Sequence, residues 1–315
     1  MFRTVPSWAA QLHSCRAAIG ESPARAAPSA IPIGELEFDK TRGAMKRAVI
    51  VVLGVCLLIG SHLRAQSSYE PIHTFSGNKG RPTAGLVQGA DGRLYGTTES
   101  GGFHGKGSVF ATDASGNAEV LHQFSGADGE TPLGRLLLAS DQSLYGTTSA
   151  GGDGFGTVFR IAPDGTFSAM WRFDGHAGGA FPHSGLIEHD RLLYGTTING
   201  GSGFGPVFTL SLDGVPPPIP FDGSNGAAPR GTLVFRATDQ SFYGTTEAGG
   251  GADGNVFRFT ADGVLEHVAS FDLATTGAKP VDGLIDTAHG LYGTTPVGGA
   301  GGVGTLVSVD PDAGT

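Results

Sequence analysis

Hydrophobic residues in the second part of the chain come in short bursts separated by Gly, Asp, Asn, Ser and Pro, and the bursts recur on a long period. The tetrad Tyr-Gly-Thr-Thr begins at Tyr95, Tyr145, Tyr194, Tyr243 and Tyr292, at spacings of 50, 49, 49 and 49 residues. Upstream of each tetrad stand a proline (Pro82, Pro132, Pro182, Pro229, Pro280) and then an apolar pair: Leu86-Val87, Leu136-Leu137, Leu186-Ile187, Leu233-Val234 and Leu284-Ile285. Downstream, a Gly-Gly turn leads to a second apolar pair: Val109-Phe110, Val158-Phe159, Val207-Phe208, Val256-Phe257 and Leu306-Val307. Further strands end on Phe124, Phe173, Phe221 and Phe271, and Phe75 ends an equivalent stretch ahead of the first tetrad.

This pattern predicts four short strands per unit, in the first unit at 85–88, 93–99, 106–112 and 119–124, with tight turns at Asp91-Gly92 and Ser115-Gly116. Apolar pairs without strict alternation fit sheets covered on both faces. Four strands in about 49 residues is the size of one β-propeller blade. The expected fold is therefore all-β, a propeller of five four-stranded blades. The ends of the pattern suggest how it closes. The fifth unit runs through its third strand, 304–309, with no Phe-ended fourth strand, whereas Tyr69–Phe75 reads as a fourth strand without a unit. The expectation is a ring closed by the N-terminal strand 68–75 joining the last blade, which removes exposed sheet edges. The alternative is a piece of a longer array. A parallel β-solenoid fits less well, because its rungs are usually shorter than this period.

Composition narrows the class. With 54 Gly, 18 Pro and 16% charged residues in 315, a coiled coil is excluded, and 19 Phe with 6 Tyr supply the apolar area that a disordered chain lacks. Met45-Lys46-Arg47, the apolar run 48–60 and the small residue Ala65 have the layout of a secretory signal peptide at 45–65. On that reading, 1–44 is a spurious, disordered extension, 66–315 is a single repeat domain, and the mature protein is secreted or at the cell surface. Cys15 and Cys56 both precede residue 66, so the exported chain carries no disulfide, which suits a bacterial protein. Residues 66–315 hold 12 basic and 25 acidic residues, a formal net of −13. Nucleic acid is a poor partner for such a chain, and no membrane span is expected in it.

The Tyr-Gly-Thr-Thr, Gly-Gly, Gly-Thr-Val-Phe, Asp-Gly and terminal-Phe series, in register over 68–309, resembles the bacterial GloVer tandem-repeat family, the "choice-of-anchor" repeat proteins. The resemblance implies an exported, propeller-like repeat protein without an assigned activity. Members often carry a C-terminal surface-sorting signal; this sequence ends at Asp312-Ala313-Gly314-Thr315.

A residue needed by every unit is a packing residue, so Tyr95, Tyr145, Tyr194, Tyr243 and Tyr292 are expected to be structural. Function belongs where units differ. After the first apolar pair the aligned residues are Gln88, Leu138, Glu188, Phe235 and Asp286. Gln88, Glu188 and Asp286 are the candidate ligand-binding residues, lining a central channel if the first strand is innermost. His176, His183 and His189 near Asp190 form the one histidine-rich stretch, and spacing alone assigns them no metal. No nucleophile elbow, zinc helix or Cys pair marks a catalytic site, and no cofactor is expected. The expected role is a non-catalytic ligand-binding or surface-interaction module, with carbohydrate or another cell-envelope component as the expected ligand. The alternatives are a polysaccharide-active hydrolase or lyase on the same scaffold, with Glu188 and Asp286 as its carboxylate pair, and a structural repeat of a surface assembly.

Overall fold

Each repeat folds into an antiparallel meander in chain order. The first sheet pairs Val87–Gln88, Leu94–Thr98, Ser108–Thr112 and Ala118–Gln123, close to the strands the pattern predicts. The second pairs Leu137–Leu138, Leu144–Thr148, Thr157–Ile161 and Phe167–Arg172. The computed structural model describes residues 70–75, 80–211, 218–250 and 253–311, all within the unit Glu70–Thr315, and among them there is no helix. The expected extension at 1–44 and signal peptide at 45–65 lie outside the described residues.

The third and fourth sheets add a strand that the sequence reading did not foresee. Ala180–Pro182 pairs with Leu192–Asn199, and Ala227–Pro229 with Ser241–Ala248, so the segment around the repeat proline forms an extra rung on the tetrad strand. Three antiparallel strands make up the fifth sheet: Ile285–Thr287, Gly290–Thr295 and Thr305–Val309.

Four hydrophobic clusters tie the sheets together, each shared by consecutive units. In the second cluster Tyr145, Val158 and Phe173 of the second unit pack with Leu186, Leu193, Phe208 and Leu210 of the third. The terminal Phe of one unit meets the third-strand Phe of the next: Phe124 with Phe159 at 5.2 Å between centroids, Phe173 with Phe208 at 5.0 Å, and Phe221 with Phe257 at 4.9 Å. Edge-to-face pairs of this kind contribute roughly 0.5–1.5 kcal/mol beyond the area they bury. The tetrad glycine makes this packing possible. A Cβ on Gly146 would lie 2.5 Å from the Phe159 ring.

A backbone clasp reinforces each junction. The residue before the proline donates its N–H to the preceding unit's Gly-rich loop: Thr131 to Lys106, Phe181 to Phe155, Ala228 to Phe204 and Lys279 to Asp253, at 2.8–3.0 Å. All four donors sit in the left-handed region, φ 53–58°, a conformation non-Gly residues hold only when their surroundings impose it.

No such junction joins the fifth unit to the first among the described residues. Val109, Val158, Val207 and Val256 are fully buried, while the equivalent Leu306 is 75% exposed. On the facing side Leu86 is 41% exposed, where its counterparts Leu136, Leu186, Leu233 and Leu284 are buried. Residues 70–75 form no ladder with Thr305–Val309; residues 68 and 69 lie outside the described set. The segment packs instead on the first unit. Phe75 sits 4.9 Å from Phe110 in the slot that a terminal Phe fills at each other junction, and His73 Nδ1 lies 3.0 Å from the Gly116 carbonyl.

Candidate functional site

The first strands of all five units line one cavity of about 880 Å³. One repeat position contributes an aliphatic residue to it from every unit, Val87, Leu137, Ile187, Val234 and Ile285, and further leucines, Leu138 among them, add to the apolar wall. Each of those five is the partner of its unit's tetrad tyrosine in the antiparallel register. Polar groups enter from the turns that follow the prolines, where Arg135, His183, Arg230, Thr232 and Asp282 line the same space. Tyr292, Thr294 and Leu306 of the fifth unit border the side left open towards the first.

Arg230 and His183 are joined at this wall, although 47 residues separate them in the chain. Arg230 Nη1 is 3.2 Å from His183 Nδ1, and Arg230 Nε pairs with the Glu247 carboxylate. A guanidinium only donates, so Nδ1 accepts and the imidazole proton sits on Nε2. Burial pushes the His183 pKa below the ordinary histidine value; the Arg230 charge adds to this and Glu247 opposes it. The ring is thus a neutral donor. Arg135 leans the other way and gives its Nε–H to the Leu86 carbonyl at 3.0 Å. No carboxylate among the described residues pairs with Arg135.

The three residues singled out for the channel stand one position beyond its wall. Gln88 donates weakly to the Gly92 carbonyl at 3.4 Å, inside its own unit. Glu188 reaches back to the second unit, where it accepts from Ser140 N at 2.6 Å and Ser140 Oγ at 2.5 Å. Asp286 faces Arg236 of the fourth unit at 3.5 Å. Glu188 and Asp286 are therefore bridges between neighbouring sheets, engaged in different clefts. The remaining histidines do not converge either. His189 stacks on Phe235 at 3.8 Å, the His176 backbone N–H donates to Asp174, and no group of three potential metal ligands comes together among the described residues.

Most tetrad side chains have packing or bonding work, the buried Thr97 hydroxyl and the exposed Thr294 being exceptions. Tyr95, Tyr145 and Tyr243 give their hydroxyl protons to Asp91, Asp141 and Asp239, four residues earlier in each case. The first Thr bridges to the next unit, Thr147 to the Ser184 carbonyl at 3.0 Å and Thr245 to that of Asp282 at 2.9 Å. The second Thr bonds across its own sheet, as Thr148 does to Thr157 at 2.8 Å. The sequence of residues 61–216 matches the Gloeobacter/Verrucomicrobia repeat, and the tetrad and its partners continue in register to the fifth sheet. The chain belongs to the Gloeobacter/Verrucomicrobia repeat family. No curated protein matches it.

Solved structures similar to this repeat protein include one from Bacteroides uniformis provisionally assigned as a 6-phosphogluconolactonase, 22% identical, covering 74% of this chain and 69% of that one, with a TM-score of 0.49. A gluconolactonase from Xanthomonas campestris is 17% identical over 72% of this chain and 71% of that one, TM-score 0.46. Hydrazine synthase from Kuenenia stuttgartiensis is 15% identical over 78% and 66%, TM-score 0.47. Likeness at this level fixes neither fold nor activity. Within the repeat, the Asp four residues before the tetrad Tyr was a signal present in the sequence; it recurs at Asp91, Asp141, Asp190 and Asp239, with Ala288 in its place in the fifth unit. Nothing in the sequence brought Arg135, His183 and Arg230 to one cavity, because each lies in a different unit.

Proposed function

We propose that this member of the repeat family is an exported, non-catalytic binding module, led out of the cell by 45–65, with the five-sided cavity as its ligand site. The observation that carries this reading is the cavity itself. It has the volume of a small-molecule site and is lined by aliphatic side chains together with polar ones, among them His183, Arg230 and Asp282. A binding role is favoured over hydrolysis because Glu188 and Asp286, the acids expected to form a carboxylate pair, are each engaged in a bridge between sheets. The scaffold is read as a five-bladed propeller, closed when 68–75 supplies the missing fourth strand. Two observations support closure: Phe75 already occupies the terminal-Phe slot on the first unit, and the faces left open on the first and fifth units carry the residues that pack at every other junction.

Thermal unfolding of the purified protein against a panel of oligosaccharides, small organic acids and neutral amphiphiles tests the binding role. A ligand present at about a hundred times its dissociation constant adds roughly 2.7 kcal/mol, several degrees for a domain of this size. Carbohydrate, the ligand class expected from the export signal, is one arm of the panel. Cooperative melting that no compound shifts would refute a small-molecule site.

A further inference from the structure

The wall of the cavity carries a chemical signature of its own. Five aliphatic residues, one from the same repeat position of each unit, line the cavity together with polar side chains. Two arginines and a neutral imidazole line it as well. Arg230 is held in place by Glu247 and bonded to His183, whose Nε2–H has no protein acceptor among the described residues. Arg135 has its Nε on a backbone carbonyl and, among the described residues, no carboxylate partner. The Arg135 guanidinium reaches the first unit, whereas Arg230 and His183 meet between the third and fourth, so the two do not share one anion site. Planar, charge-assisted donors beside an apolar surface match a carboxylate on a hydrocarbon body. Asp282, the acid of the lining, accepts from the Gly283 N–H at 2.8 Å, on the fifth unit.

We propose that the cavity binds an amphiphilic organic anion, its aliphatic body on the ring of Val87, Leu137, Ile187, Val234 and Ile285, and its carboxylate at the His183–Arg230 pair. This rests on the reading of the cavity as the ligand site.

Titration calorimetry with octanoate, 1-octanol, acetate and a neutral oligosaccharide tests it. Octanoate should bind about tenfold or more tightly than 1-octanol, the usual weight of a charge-assisted contact, and acetate should not bind measurably. His183→Ala should lose most of that preference for the anion while leaving the 1-octanol affinity within about twofold, with circular dichroism confirming the fold. Equal affinity for octanoate and 1-octanol would overturn the anion assignment, and so would an unchanged preference in His183→Ala. Acetate binding as well as octanoate would overturn the apolar half. Binding of the oligosaccharide alone would replace the ligand class and leave the cavity as the site. Ile187→Trp separates the two levels, because it fills the ring: octanoate binding that survives it places the ligand elsewhere and removes the cavity reading itself.

Discussion

Leu306→Ala distinguishes a closed ring from an open one. In the described arrangement Leu306 is 75% exposed, so truncating it removes little buried area and should stay within about 0.5 kcal/mol. If the first unit packs on the fifth, Leu306 takes the place that Val158 holds at full burial. The same truncation then costs about 2–5 kcal/mol, the range for a buried Leu→Ala change. For a domain of this size that is a fall in Tm of roughly 4–20 °C, well beyond the error of a melting curve. Val158→Ala serves as the internal reference, since it lies inside a junction that is formed either way. Equilibrium urea unfolding followed by tryptophan fluorescence and far-ultraviolet circular dichroism gives both values. The closed ring predicts comparable losses for the two variants, and deletion of 68–75 should abolish the cost of Leu306→Ala. It also predicts two new backbone bonds by analogy with the other junctions, Phe75 N–H to the Gly304 carbonyl and Arg81 N–H to the Val303 carbonyl, visible as protected amides in hydrogen exchange. A Leu306→Ala variant as stable as the parent, beside a clearly destabilised Val158→Ala, would refute closure.

Gly146→Ala should destabilise by about 1–3 kcal/mol in chemical denaturation, because its Cβ would press on the Phe159 ring in a filled core. Tyr145→Phe removes one hydrogen bond to Asp141 and should cost about 0.5–1.5 kcal/mol, with ligand affinity unchanged by calorimetry. Stability should fall as pH drops below the ordinary histidine value of 6.5, because the unfolded chain takes up a proton that buried His183 resists; His183→Ala should flatten that part of the pH–stability profile. Bonds from Arg93 and Tyr95 hold Asp91 at about 2, so its contribution is complete above 3.8 and is lost as the pH falls from there towards 2, which Asp91→Asn should reveal as a smaller acid slope.

The repeat was legible in the sequence because it is local chemistry written five times. Strand positions, Asp-Gly turns, the Tyr-Gly-Thr-Thr packing motif and the terminal Phe each depend on neighbours within one unit or the next, at a constant spacing. The strands expected at 93–99 and 106–112 appear at Leu94–Thr98 and Ser108–Thr112, trimmed only at their ends. The cavity wall lies one residue before the candidates Gln88, Glu188 and Asp286, for a definite reason. The first strand is two or three residues long, too short for an apolar alternation to declare a face, and its register against the tetrad Tyr puts Val87, Ile187 and Ile285 on the cavity and Gln88, Glu188 and Asp286 beyond it. The polar cluster was out of reach altogether, since His183, Arg230 and Glu247 meet across 47 and 17 residues in positions where the repeat imposes no residue type. Whether the first and fifth units embrace is likewise a matter of tertiary structure. Both faces carry the right residues, but contact between the ends of a ring depends on small rotations summed over every junction between them, and no local pattern encodes that sum.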